Sequence, residues 1–255
     1  MVKPKKHLGQ HFLTDRNIAI RIVDQLSEDC KDIIEVGAGT GVLTQYLMNR
    51  EKQNLHIIEI DEESVDYLKA TWPHIESSII PKDFLKYPLE NISTEPMAII
   101  GNFPYNISSQ IFFKVLDYKD SVPEVVGMIQ KEVAERIAAG PGSKTYGILS
   151  VLLQAWYDIE YCFTVHEDVF NPPPKVKSAV IRLVRNNVKS LDCNEKLFKR
   201  IIKQGFNQRR KTLRNSLKSI FVDKELMQNE LFSKRPEQLG VQEFVEITKY
   251  AESIM

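Results

Sequence analysis

The chain has 255 residues, 43% of them hydrophobic and 27% charged, which excludes a disordered chain and suits one large domain plus a small one. Its 34 Lys and Arg cancel 34 Asp and Glu, yet residues 175–218 hold fourteen bases against only Asp192 and Glu195. That segment carries +12 and the remainder −12, an asymmetry that points to a polyanionic partner such as nucleic acid.

No stretch, the uncharged run at 146–157 included, holds the roughly 18 consecutive apolar residues that span a bilayer, so no membrane partner is expected. The N-terminus is basic, but no apolar signal core follows it. Cys30, Cys162 and Cys193 are far apart, odd in number and without a CxxC pair, which argues against a disulfide framework or a zinc site. A cytoplasmic protein without metal is the expectation.

In chain order, residues 32–37, 55–60, 78–80 and 97–101 read as short buried strands. Helical patterns at 41–50 and 62–71 lie between them, the second with Val65, Leu68 and Trp72 on one face. Strand, helix and strand at this spacing imply βαβ units: an α/β, Rossmann-like parallel sheet with helices on both faces. A further strand is predicted at 125–129, then a helix at 131–139, a loop at Gly140-Pro-Gly-Ser143 and a helix at 146–156. Residues 159–165 and 176–184 read as a closing strand pair, with Asn171-Pro-Pro-Pro174 between them. After Asn187 the pattern becomes helical: Leu197, Ile201 and Ile202, then Leu213, Leu217 and Ile220, are spaced like core faces. The expected division is 1–187, a catalytic domain with an N-terminal arm, and 188–255, a small all-helical domain.

Glu35-Val-Gly-Ala-Gly-Thr-Gly41 joins the first strand to the first helix. Gly37, Gly39 and Gly41 allow a sharp turn and close approach to a ligand. The spacing is GxGxG, whereas a dinucleotide fingerprint needs GxGxxG, and the P-loop Lys is missing. S-adenosylmethionine has no pyrophosphate to cradle, and it fits this departure. Glu59 ends the next strand, 18 residues after Gly41, where a carboxylate accepts from both ribose hydroxyls. Asp83, inside Pro81-Lys-Asp-Phe84, is placed for the adenine amino group. All three belong to one crevice at the carboxyl ends of the strands.

Asn102, Phe103, Pro104 and Tyr105 follow the fourth strand. They suit methyl transfer to an exocyclic amine, whose lone pair is delocalised into a purine. The Asn102 side-chain carbonyl and the Phe103 backbone carbonyl could hold the amine protons, while Tyr105 stacks an extruded base. Phe170 is either a second stacking ring on a stiff loop or a core residue at a hinge. Arg209, Arg210, Lys211 and Arg214 form a phosphate-binding cluster, with Arg210 and Arg214 four apart on one helix face. Lys3, Lys5, Lys6 and Arg16 could extend this track toward Asn102. Gly9-Gln-His-Phe-Leu13 lies near the crevice if the arm folds back; taken alone, His11 reads as a surface histidine.

Together, Gly9-Gln-His-Phe-Leu13, the glycine loop, Asn102-Phe-Pro-Tyr105, Phe170-Asn-Pro-Pro-Pro-Lys-Val176 and Asn207-Gln-Arg-Arg-Lys-Thr-Leu-Arg214 resemble the KsgA family over residues 5–250. Its members are ribosomal RNA small-subunit adenine dimethyltransferases. The resemblance implies an S-adenosylmethionine-dependent enzyme that dimethylates N6 of two adjacent adenosines, in a hairpin near the 3′ end of 16S rRNA. It further implies that His11, Leu13, Gly37, Glu59, Asp83 and Asn102 line the cofactor site. Family members often carry Asn in place of His11 and Leu in place of Phe103. The partner implied is 16S rRNA in the small subunit or its precursor, and a monomer is expected. Two rivals are a 23S rRNA adenine methyltransferase of the macrolide-resistance type and a non-catalytic assembly factor. The Arg-Arg-Lys-Thr-Leu-Arg stretch opposes the first; intact Glu59, Asp83 and Asn102 oppose the second.

Overall fold

A computed structural model describes residues 2–221 and 229–253. The chain divides into two units, 1–134 with 159–185, and 135–158 with 186–255.

The first unit is built on a seven-stranded sheet of order β4-β3-β2-β5-β6-β9-β7. Its strands are β2 (Asp32–Val36), β3 (Asn54–Ile58), β4 (Ile79–Ile80), β5 (Met97–Asn102), β6 (Glu124–Gln130), β7 (Tyr157–Val165) and β9 (Ser178–Arg185). Strands β2 to β6 run parallel to their neighbours, and β9 is antiparallel to β6. Ile33, Ile34, Ile99 and Ile100 are fully buried, because central parallel strands are covered on both faces. Val36 pairs with Ile58, Ile58 with Ile80, and Asn102 with Met128. This register brings Gly37, Glu59 and Asn102 to one edge of the sheet. A separate antiparallel pair joins β1 (Phe12–Leu13) to β8 (Phe170–Asn171).

Helix α3 (Glu62–Thr71) matches its amphipathic pattern residue for residue. The helix predicted at 41–50 narrows to α2 (Thr44–Leu47), because bonds of the i+3 and i+4 types alternate through its flanks. Two helices escape the periodicity reading. Helix α1 (Arg16–Val23) is N-capped by Asp15, which accepts from the amides of Asn17 and Ile18. Helix α4 (Ser108–Asp117) buries Ile111, Phe112 and Val115. Helix α5 (Lys131–Ala138) follows β6 directly.

The second unit is helical: α6 (Ile148–Gln154), α7 (Glu195–Asn207), α8 (Leu213–Ser216) and α9 (Val241–Glu252). The chain therefore has no single cut near residue 187. Residues 135–158 pack with 186–255: Trp156 meets Phe198 edge-on at 6.1 Å, and Tyr146 meets Phe206 at 6.1 Å. Helix α6 buries Leu149, Val151, Leu152 and Leu153, more apolar surface than one face can hold, so it needs helices around it. Helix α7 buries Phe198, Ile201, Ile202 and Gly205, spaced i, i+3, i+4 and i+7, and each large side chain contributes about 2 kcal/mol by leaving water. No described helix is long and apolar enough to cross a membrane.

Candidate active site

At the carboxyl edge of the sheet, β2, β3 and β5 and the N-terminal arm enclose a cleft of about 170 Å3. Gly37, Gly39, Glu59, Asp83 and Asn102 line it, with Tyr105 and His11. Gly37 has φ +73°, and a Cβ there would meet only Pro104 at 3.8 Å, so the backbone stands open to a ligand. Gly41 has a different task. A Cβ there would come within 2.3 Å of the Trp72 ring, and Gly41 does not line the cleft. It lets the loop pack on Leu68 and Trp72.

Glu59 is 3% exposed. Its Oε2 accepts from Gly39 N–H at 2.9 Å and its Oε1 from Asp61 N–H at 2.9 Å. Each carboxylate oxygen has two lone pairs, so capacity remains for two ligand hydroxyls. Burial pushes the Glu59 carboxyl above its usual range, although the two amides pull it down. Asp83 turns its Oδ1 onto the Leu85 amide at 2.9 Å, which leaves Oδ2 beside only an exposed Lys86 at 3.7 Å. A ribose at Glu59 and an adenine at Asp83 fit these acceptors, with Phe84 and the half-exposed Ile60 as apolar flanks.

The arm is folded back over the cleft. Asn102 Nδ2 donates to the His11 carbonyl at 2.8 Å. Only the amide nitrogen can donate, so Oδ1 is left as the free acceptor. His11 Nδ1–H donates to the Pro172 carbonyl at 2.8 Å, which assigns the ring its tautomer. The His11 ring also stacks on Tyr105, centroids 5.3 Å apart and 29° from parallel. Tyr105 is hydrogen-bonded to Ser178, and burial pushes its phenol up, keeping it neutral.

Two expected residues lie elsewhere. Phe170 is 4% exposed and opposes Leu13 in the β1–β8 pair. Both rest in the core, so Phe170 has no free face for a base, and Leu13 lines not the main cleft but a small cavity beside it, which shares Gly37 and Asn102. The cause is pairing: the short ribbon presents both residues to the same apolar cluster. Phe103 is fully buried, edge-on to Phe112 at 5.9 Å. Its ring fills the space that side chains at Gly101 and Gly127 would take. Among the described residues no group donates to its backbone carbonyl.

Several supporting residues were invisible to motif reading. Asp61 receives Lys5, Gln10 and Ser64, which pins the arm beside Glu59. Asn106 Nδ2 holds the His7 carbonyl at 3.2 Å. The buried Lys114 donates to the carbonyls of Phe84 and Tyr87, bracing the loop that carries Asp83. A polar residue after a motif was the only available signal, and it is a common one.

In the second unit, Arg210, Lys211 and Arg214 are exposed and Arg209 is half-buried. Arg210 and Arg214 do not share a helix face. Helix α7 ends at Asn207, a turn carries residues 208–211, and Arg214 belongs to α8. Gly205 lets α8 approach α7 closely, since a Cβ there would lie 3.0 Å from Leu213. Arg209 Nη2 donates to the Ser143 carbonyl at 3.2 Å. The cluster is a turn rather than a helical stripe.

A parallel sheet with acidic strand ends, an open glycine turn and Asn-Phe-Pro-Tyr in one cleft defines an S-adenosylmethionine-dependent methyltransferase. Solved structures agree on the fold. A dimethyladenosine transferase from Plasmodium falciparum aligns at TM-score 0.77 and 22% identity, over 94% of this chain and 98% of that one. The 23S rRNA methyltransferase ErmE aligns at TM-score 0.68 and 24% identity, over 93% and 99%. The chain belongs to the ribosomal RNA adenine dimethylase family, whose profile matches residues 1–252. It is 61% identical to the ribosomal RNA small subunit methyltransferase A of Phocaeicola vulgatus, over 100% of this chain and 92% of that protein. Identity to the protein of the same name from Cytophaga hutchinsonii is 59%, over 97% and 96%.

Proposed function

We propose that this enzyme methylates N6 of two adjacent adenosines, in a hairpin near the 3′ end of 16S rRNA, on the small subunit or its precursor. It acts as a monomer in the cytoplasm. One observation carries the chemistry: the His11 carbonyl takes the Asn102 amide nitrogen, so Asn102 Oδ1 is presented to the cleft as an acceptor.

The cofactor, when bound, supplies an electrophilic methyl group on a sulfonium. Glu59 holds the ribose and Asp83 the adenine amino group. Asn102 Oδ1 and the Phe103 carbonyl accept the two N–H bonds of the target amine. This draws the nitrogen toward tetrahedral geometry and returns its lone pair for attack. After one methyl only one N–H remains, so a single acceptor serves the second transfer and no rigid clamp surrounds N6. Tyr105 stacks the extruded base on the side opposite His11, and positioning with water excluded supplies most of the remaining acceleration. The Phe103 ring is a packing group, so a Leu there would leave the acceptor in place.

The test is methyl transfer to isolated small and large subunits from cells lacking this protein, followed by mapping of the modified adenosines. Wild-type enzyme modifies two adjacent adenosines of the small subunit. Asn102→Ala loses about 10^3-fold in rate for both methyls while RNA binding persists. Methylation at the wild-type rate by this variant, or on large subunits instead, overturns the assignment. Neutralising Arg209, Arg210 and Lys211 weakens RNA binding and flattens its dependence on salt. An unchanged salt slope would place the RNA on other residues.

A further inference from the structure

Lys114 takes no part in the chemistry above, yet its setting is unusual. It lies in α4 among the buried Ile111, Phe112 and Val115, and is itself buried. Taking an ammonium group out of water is costly unless hydrogen bonds replace the lost hydration. Here Nζ donates to two backbone carbonyls, those of Phe84 and Tyr87. It also stands over the Phe84 ring, 4.7 Å from its centre. Burial pulls the ammonium's pKa down, while the charges of Asp83 and Glu90 hold it up. A residue that only filled space here could be Met or Leu at no such cost, so the charge and the donors need a use.

The two carbonyls belong to one turn, which Asp83 opens. The Asp83 carbonyl accepts from the amides of Lys86 at 3.1 Å and Tyr87 at 3.0 Å, and its Oδ1 accepts from the amide of Leu85 at 2.9 Å. Among the described residues, this leaves Asp83 Oδ2 and the Phe84 N–H without a hydrogen-bond partner. Both residues line the cleft. They offer an acceptor beside a donor. The amino edge of adenine offers the matching pair, the N6–H donor beside the N1 acceptor. Hypoxanthine offers the reverse, an oxygen acceptor beside an N1–H donor. The match holds only while Asp83 and Phe84 keep their orientation. The Phe84 N–H and C=O are separated by two rotatable bonds, so fixing the carbonyl limits rotation of the N–H.

We propose that Lys114 is a positioning residue for cofactor specificity: by clamping the Phe84 and Tyr87 carbonyls, it holds Asp83 Oδ2 and the Phe84 N–H in register with adenine and against a 6-oxopurine. The inference rests on the adenine of the cofactor lying at Asp83. Lys114 does not line the cleft, so it acts through Asp83 and Phe84 and not on the ligand. Helix α4 follows closely on Asn102-Phe-Pro-Tyr105. One helix therefore ties the adenine turn to the segment that carries the reaction motif.

Calorimetry on the intact enzyme tests this with two probes, S-adenosylhomocysteine and S-inosylhomocysteine, which differ only in the amino or oxo group of the purine. Wild type is expected to prefer the adenine probe roughly 100-fold, because the oxo probe sets acceptor against acceptor and donor against donor. Lys114→Met keeps the length of the side chain and removes its charge and donors. It is expected to weaken S-adenosylhomocysteine about tenfold and S-inosylhomocysteine by no more than about twofold, so that the preference falls toward about tenfold. A general loosening of the fold weakens both probes alike and leaves their ratio unchanged. A wild-type ratio in folded Lys114→Met therefore overturns the proposal. Lys114→Gln retains an amide donor and serves if the Met variant does not fold; its ratio is expected between those of wild type and about tenfold, and an unchanged ratio again overturns the proposal. Tyr118→Phe is the control. Tyr118 braces the same helix by donating to Glu90 at 2.7 Å, away from the two carbonyls. Its ratio is expected to match wild type; an equal fall there assigns the effect to the seating of α4 and overturns the role of Lys114. Equal binding of the two probes by wild type is a distinct result, which removes the adenine from Asp83 and with it the reading underneath.

Discussion

The two edges of the same sheet treat their acids in opposite ways. At the amino edge, Asp32 of β2 accepts from His56 Nε2 at 2.8 Å, Ser93 Oγ at 2.8 Å and Asn54 Nδ2 at 3.1 Å. Burial pushes its carboxyl up, but these bonds, His56 first, hold it below the usual range. Glu124, opening β6, takes Arg182 through Nε and Nη2 at 2.7 Å each, and also the amide and hydroxyl of Ser27. At the carboxyl edge, Glu35 and Glu59 are as buried and have no cation beside them among the described residues, and burial raises both. Asp32 and Glu35 are three residues apart on one strand. Acids fully served by the protein hold it together; Glu59, which keeps acceptor capacity, is where we propose that the cofactor binds.

Three variants probe this contrast, beginning with the largest expected effect. Arg182→Met strands Glu124 in the protein and should cost about 3 kcal/mol, read from the urea unfolding midpoint, with cofactor affinity unchanged. A loss below about 1 kcal/mol would show that the amino-edge acid tolerates isolation, and the contrast would fail. Glu59→Gln should do the reverse: cofactor Kd weakens about 30-fold, or roughly 2 kcal/mol, with little loss of stability. If this variant unfolds while binding is spared, Glu59 is a structural acid.

The smallest effect is a pH slope at Glu35. Burial raises its folded pKa to about 8, above the ordinary carboxyl value of 4.5. The folded state therefore binds more protons between these values. The stabilisation is complete below about pH 4.5 and is lost as pH rises toward 8. Between pH 6 and 7 wild type should lose about 1.4 kcal/mol relative to Glu35→Gln, measured by denaturant unfolding at each pH. Parallel pH profiles for the two proteins would show that Glu35 is already ionised.

Short-range pattern carried the reading a long way. The alternation of apolar runs with amphipathic stretches specified a parallel sheet, and the residues at strand ends, Glu59, Asp83 and Asn102, converge on one cleft because strand register leaves them nowhere else to go. Helix α3 was legible to the residue, since its period is local. Helix α4 was not: it follows the Asn-Phe-Pro-Tyr motif, and no side-chain N-cap marks its start.

What the amino-acid sequence determined by itself was therefore the sheet, the glycine turn, the strand-end acceptors and the basic segment, all encoded within a few neighbouring residues. Tertiary structure alone decided the rest. It placed 135–158 with the helical unit, buried Phe170 against Leu13, ended α7 at Asn207 so that Arg210 and Arg214 share no helix face, and oriented the Asn102 amide through His11, 91 residues away. It also left Glu35 buried with no cation beside it among the described residues. Burial and pairing depend on which distant residues arrive nearby, and no local spacing records that.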